Sequence, residues 1–291
     1  MDVRQLRCVE AVARHRHFTR AAQELHVAQS ALSHQVRRLE DELGIALFER
    51  TSRRVRPTEA GLAIAARARR VLAEVDSARE EVDQLRGVLR GRIWIGTLLR
   101  AGDIDVPGLL ARFSQLHPGI EVGLREGLTD DMLRYLAEAE IDAAFCLLDG
   151  EIPDGVAGER LGDEEIVVAF SADAAPPAPS VSVAELAQQR LVGPRRESAV
   201  ARVLQDRFAH AETPARLALE SGDPFLMRTL AARGFGAAIL PRSLTQLEGP
   251  TVAVRSLDPP ATLTVALVWR RERDPSPAAQ TFIDFVRRQP D

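Results

Sequence analysis

Apolar residues at Val3, Leu6, Val9, Val12 and Ala13 recur at helical spacing and predict a helix over residues 3–15. The basic run Arg14-His15-Arg16-His17 breaks it. A short helix is predicted over 19–25, with Thr19 near its start as a cap. A third is predicted over 29–43, stopped by Gly44, a residue suited to a helix C-terminus. Residues 45–56 have strand character around a charged tip, Arg50-Thr51-Ser52-Arg53-Arg54. Pro57-Thr58-Glu59 then opens a long helix ending near Leu85, since proline is tolerated in a first turn.

The long helix carries Ile64, Ala68, Val71, Val75, Ala78, Val82 and Leu85, spaced alternately four and three apart. Three heptads of this kind make a narrow seam that suits a partner helix. The stripe therefore predicts dimerisation, with packing onto its own domain as the other use of such a face.

From residue 92 the pattern changes. Short β-rich runs (IWIGTL, IEVGLRE, IDAAFCL, IVVAF, RLVGP, RLALES, AAILP) alternate with helical stretches near 106–116, 129–139, 198–208 and 224–232. TVAVRSL and LTVALVW close the strands, and a last helix is expected near 278–288. Thr129 reads as the cap of its helix, and the Pro-rich stretch 174–180 as a loop. This order predicts a parallel-type α/β sheet in two lobes, with a ligand cleft at the carboxyl ends of the strands.

Charge sharpens the division. Residues 1–90 hold 17 arginines against 13 acidic residues, a net of +4, whereas the remainder carries −8 within a total of −4. A basic front on an acidic body suits a polyanion-binding module joined to something else. All 38 basic residues are arginine. No apolar run reaches the ~18 residues of a membrane span, and the N-terminus lacks the apolar core of a signal peptide. A cytoplasmic protein is therefore expected. Cys8 and Cys146 read as small buried apolar residues, with no disulfide or metal site expected. No cofactor is implied. No Walker A run, G-x-G-x-x-G, H-E-x-x-H, G-x-S-x-G or C-x-x-C motif occurs, so an enzyme is not the expected class.

The segment FTRAAQELHVAQSALSHQVRRLEDELG holds the densest information. Ala21 and Ala22 are small enough for two helices to approach closely, and Leu25, Val27, Leu32, Val36 and Leu39 can form their shared core. The other face of the second helix presents Gln29, Ser30, Ser33, His34, Arg37 and Arg38. Glutamine, serine and histidine can bond base edges in a major groove, while Arg37 and Arg38 suit phosphates. For any one arginine, a solvated surface charge is an equal reading.

Residues 3–61 resemble the DNA-binding domain of LysR-type transcriptional regulators. The resemblance rests on LRCVEAVARHRHFTRAA, the L-x-V-A-Q-S-A-L-S core, RRLEDELGIALFER and TEAG. It continues to the C-terminus through PGIEVGLREG, LAEAEIDAAF and LAARGFGAAILP. The resemblance implies an α+β multidomain chain. A winged helix-turn-helix would occupy 1–58, a linker and dimerisation helix 59–90, and a periplasmic-binding-protein-like α/β domain 91–291. Lobe I of that domain would comprise about 91–160 and 266–291, and lobe II about 161–265. It further implies a homodimer, commonly a tetramer, on double-stranded DNA.

The resemblance places Thr19, Gln29, Ser30, Ser33 and His34 toward the DNA, with Arg50, Arg53 and Arg54 on the wing. Two departures stand out: Ala28 where many relatives have a capping serine, and His34 where many have arginine. The effector would lie against Thr97, Leu98, Leu99, Arg100, Leu128, Thr129, Arg196, Ser198, Ser221 and Phe225. Helix N-termini and hydroxyls there favour an anionic small molecule. Arg100 could supply a bidentate partner, or instead face solvent or pair with Asp103 or Asp105. A solute-binding protein without a DNA role is the alternative reading of 92–291.

Overall fold

The computed structural model describes residues 1–50, 55–98, 100–214, 216–272 and 274–289, with the Arg50 side chain left out. The chain forms two compact units, one of residues 1–90 with 137–140 and the other of 91–136 with 141–291.

In the first unit, α1 (Val3–His15), α2 (Phe18–Glu24) and α3 (Gln29–Leu43) precede a two-stranded wing, β1 (Phe48–Arg50) and β2 (Val55–Pro57), and the long α4 (Glu59–Leu85). The predicted periodicity is realised as a shared core. Val9, Val12, Ala21, Ala22, Leu32, Val36 and Leu39 are buried together with Leu47 and Phe48 of the wing. The Phe18 and Phe48 rings meet edge to face, 6.0 Å between centroids. Val27 is an exception to the expected core and is 45% exposed.

The cap of α2 is His17 rather than Thr19. Its Nδ1 accepts from the Thr19 N–H (3.2 Å), which leaves the Thr19 side chain on the surface. Gly44 closes α3 with φ 67°, a left-handed conformation that glycine adopts without a Cβ penalty. Three contacts fix the wing. Glu40 Oε1 accepts from the N–H groups of Leu47 (2.9 Å) and Phe48 (3.1 Å), and the Thr58 hydroxyl donates to the Ala46 carbonyl (2.8 Å) while capping α4. The TEAG glycine, Gly61, sits so close that a Cβ would lie 1.9 Å from the Leu47 carbonyl oxygen. Any side chain there would push α4 off the wing.

The second unit contains β3 (Gly91–Thr97), α5 (Val106–Leu116), β4 (Ile120–Glu126), α6 (Thr129–Ala137), β5 (Ala143–Leu148), β6 (Val156–Phe170), β7 (Ser180–Ser182), α7 (Val183–Ala187) and β8 (Leu191–Pro194). It continues through α8 (Ala199–His210), β9 (Leu217–Ser221), α9 (Pro224–Ala232), β10 (Ala237–Pro241), α10 (Arg242–Thr245), β11 (Ala253–Arg270) and α11 (Pro277–Arg287). The sheet order is β4-β3-β5-β11-β6-β10-β8-β9, with β7 beside β11.

Two long strands run through both halves of this sheet. The front of β6, from Val156, pairs with the back of β11, which in turn pairs with β5, whereas Ile166–Ala169 of β6 pair with β10. The expected strand at 166–170 is thus the end of a 15-residue one. The two expected strands TVAVRSL and LTVALVW are one strand of 18 residues. Its register against β6 shifts between Ser256 and Ala261, where Asp258-Pro259-Pro260 interrupts the sequence pattern. Beyond the Pro-rich stretch, β7 and α7 were not expected from the sequence.

Candidate functional site

Helix α3 buries Leu32, Val36 and Leu39 on one side and turns Gln29, Ser30, His34, Arg37 and Arg38 to the surface. Ser33 is half-buried between the two faces. Neither Arg37 nor Arg38 forms an ion pair within 4 Å of a carboxylate among the described residues. Other arginines of this unit are committed: Arg14 holds Glu24 and Glu10, and its guanidinium, with His15, keeps the Glu24 carboxyl down at about 2. Arg37 and Arg38 are thus among the arginines of this unit that no carboxylate holds, and both are exposed on α3. Ala28 starts α3 in an extended conformation (φ −65°, ψ 139°) with no side-chain cap. Arg53 and Arg54 lie outside the described residues.

The predicted seam on α4 divides. Ala68 is fully buried, and Ile64 packs against the helix-turn-helix core. These two therefore serve the chain's own fold and leave the expected seam between copies. Below them Val71, Ala78, Val82 and Leu85 are exposed, Leu85 by 88%, and Val75 is half-buried.

In the second unit the carboxyl ends of six parallel-paired strands converge on one cavity of about 270 Å³. Leu98 follows β3, Glu126 ends β4, Leu147 lies near the end of β5, and Pro194, Ser221 and Pro241 end β8, β9 and β10. Helices α6, α8 and α9 begin there, bringing Leu128, Ser198, Ala199 and Pro224 into the lining. Met227, Ile239, Leu240 and Leu244 make much of the remaining wall apolar. This is the position at which open α/β folds take ligands.

Of the predicted contacts, Leu98, Arg100, Leu128, Thr129, Ser198 and Ser221 line the cavity. Leu99 lies outside the described residues. The structure does not bring Thr97, Arg196 or Phe225 into the lining. Thr97 donates its hydroxyl to the Leu98 carbonyl (2.9 Å). Arg196 is held by Glu220, which accepts from its backbone N–H (3.0 Å) and from Nε (3.2 Å). Phe225 is 59% exposed.

Thr129 is the first residue of α6 rather than its cap. Its hydroxyl donates to the Leu147 carbonyl (2.9 Å) and accepts from the Leu147 N–H (3.1 Å), so it ties α6 to β5. Glu126, Pro194, Arg195 and Pro241 were missed. The strand-end rule would have found them once the strand ends were known.

Arg100 pairs with neither Asp103 nor Asp105. Asp105 instead caps α5 by accepting from the Gly108 N–H (3.1 Å). The Nε of Arg100 is buried without a hydrogen-bond partner. Both cysteines are free and buried, and burial pushes the Cys146 thiol up to about 12. No helix among the described residues is long and apolar enough to cross a membrane, and no metal-ligating cluster occurs among them.

A helix-turn-helix with a wing and a long helix, joined to an α/β unit with a strand-end cavity, defines a class of ligand-responsive regulators. Two family descriptions match the chain: "Bacterial regulatory helix-turn-helix protein, lysR family" over residues 3–62 and "LysR substrate binding domain" over 86–291. It is 33% identical to the RuBisCO operon transcriptional regulator of Allochromatium vinosum over 298 residues, covering 98% of this chain and 95% of that one. Among solved structures it is similar to a full-length OxyR variant from Pseudomonas aeruginosa, with a TM-score of 0.78 and 26% identity over 99% of this chain and 95% of that one. Full-length CbnR in complex with its target DNA gives 0.66 and 25%, covering 99% of both chains. The chain belongs to the LysR family of bacterial regulators.

Proposed function

We propose that this chain is a homodimeric transcription regulator that holds double-stranded DNA through α3 and the wing and answers to a small molecule in the strand-end cavity. The carrying observation is the outer face of α3, where Gln29, Ser30, His34, Arg37 and Arg38 are exposed over a closed apolar core. Its side chains suit the donors and acceptors of a major groove, and its arginines suit phosphates. CbnR, similar along its whole length, is recorded on its target DNA. The basic wing residues Arg50, Arg53 and Arg54 would extend the phosphate contacts.

The exposed lower half of the α4 seam, from Val71 to Leu85, serves as the dimer contact, and two such dimers would make a tetramer. An effector changes the DNA-bound state only if it binds two arrangements of the dimer with different affinity. The site performs no chemistry in this reading, and the protein acts in the cytoplasm. A solute-binding role alone would leave residues 3–62 unexplained.

A gel-shift titration on the DNA flanking the gene, run across a salt series, tests the reading. Affinity should fall linearly on log–log axes as salt rises. The double variant Arg37→Ala/Arg38→Ala should bind more weakly and lose ~0.9 of slope for each phosphate contact removed. Unchanged affinity and slope in that variant would remove α3 from the interface.

A further inference from the structure

Two arginines line the effector cavity: Arg195 is exposed to solvent, and Arg100 is half-buried. Arg100 lines it, and its Nε is buried with no acceptor. A buried N–H on a cation is left unpaired only rarely, because desolvating it without an acceptor is costly. Two arginines nearby are treated otherwise: Arg196 is tied to Glu220, and Arg202 to Asp130 (2.8 Å). The two acidic residues nearest Arg100 in sequence do not answer it. Asp105 caps α5, and Asp103 forms no ion pair among the described residues.

Much of the wall around this group is apolar, and the polar groups in it include donors. Ser198 caps α8 by accepting from the Ala201 N–H (3.1 Å), which leaves its hydroxyl hydrogen for a ligand. Helix α8 is 12 residues long and has no acidic residue in its first turn, so its positive end is uncompensated. Its first residues Ala199 and Val200 line the cavity. Glu126, the only carboxylate in the lining among the described residues, is exposed and repels a second negative charge. The volume, about 270 Å³, equals that of about nine waters at ~30 Å³ each.

We infer that the cavity selects an apolar monocarboxylate of up to about nine non-hydrogen atoms, its carboxylate seated on the Nε edge of Arg100. The guanidinium fork matches a carboxylate bidentately, as no hydroxyl or amide of the lining can. The apolar body lies against Met227, Ile239, Leu240 and Leu244. This assignment rests on the reading of the cavity as the effector site, but it is tested without DNA.

The test uses the full chain, thermal unfolding and calorimetry, with butanoate, hexanoate and benzoate as probes. Hexanamide and hexylamine share the hexanoate body and replace only its charge. At least one carboxylate should raise the melting temperature with concentration, as a ligand of the folded state does. Hexanoate should bind at least about tenfold tighter than hexanamide, and hexylamine more weakly still. Arg100→Met keeps the apolar stem and breaks no hydrogen bond or ion pair among the described residues; it should melt like the parent and lose the preference for the carboxylate. Arg100→Lys keeps the charge without the fork and should recover part of it. The inference is overturned if none of the three carboxylates stabilises the chain, if hexanamide or hexylamine matches hexanoate, or if Arg100→Met retains the preference. Loss of DNA binding alongside an intact carboxylate preference would sink the regulator reading and leave this one standing.

Discussion

Glu164 shows how a single buried residue can set the pH response of the second unit. It lies on β6 at 3% exposure, and its carboxylate accepts from the Ser243 hydroxyl (2.5 Å) and the Ser243 N–H (3.0 Å). Burial raises its pKa, the Ser243 bonds oppose that rise, and the charge of Asp103 adds to it. A carboxyl raised above its unfolded value stabilises the fold fully below the ordinary carboxylate range. That contribution is lost as pH climbs through the folded value. Glu164→Gln keeps an acceptor for Ser243 and removes the charge. The variant should therefore melt higher than the parent at about pH 8, with the gap closing toward about pH 4. A constant gap across that range would show that Glu164 does not titrate within it. The position matters because Pro241 and Leu244 of the cavity wall flank Ser243. No pattern along the chain singles out this residue, since an acidic side chain in a run of polar residues reads as solvated.

At the scale of elements, local signals and partner-dependent ones separate cleanly. Helices α1 and α3 were legible to the residue because their bounds are written locally, in a basic break and in Gly44. Helix α3 also bears out the missing cap: Ala28 already has the extended backbone of a cap residue and offers no oxygen. Ala28→Ser should stabilise the first unit by ~1 kcal/mol, seen as a later denaturant midpoint for its helical signal. No gain would mean that the N-terminal N–H groups of α3 are already satisfied by water. Strands β6 and β11 were not legible as long strands. Their continuity comes from pairing with each other, and a Pro-Pro pair in the middle of β11 reads as an end when the partner is unseen. Part of the cavity reading was hidden in the same way. Thr129 looked like a cap and a ligand contact, but β5 claims its hydroxyl. Arg196 looked available, but Glu220 on β9 claims it.

For the whole molecule, the division of the α4 stripe decides what holds two copies together. A heptad seam read from sequence counts every apolar position, whereas only those that the chain leaves uncovered can meet a partner. Ile64 and Ala68 are packed inside the chain, so in the proposed dimer the contact between copies would fall to Val71, Val75, Ala78, Val82 and Leu85. Leu85 and Val82 are the most exposed large apolar members, at 88% and 48%. A lone subunit keeping such a stripe in water forgoes ~25 cal/mol for each Å² it could cover. Val82→Glu with Leu85→Glu places like charges across the seam and removes its apolar end. Because neither side chain is packed in the chain, the subunit should still fold, melting lower only by what pairing adds to the parent. Sedimentation should nonetheless shift from dimer or larger to monomer, and DNA affinity should fall as the two half-site contacts become separate binding events. If the variant stays dimeric, the copies meet elsewhere. If the parent itself sediments as a monomer with full affinity for DNA, the exposed stripe has another use, and pairing through α4 is wrong.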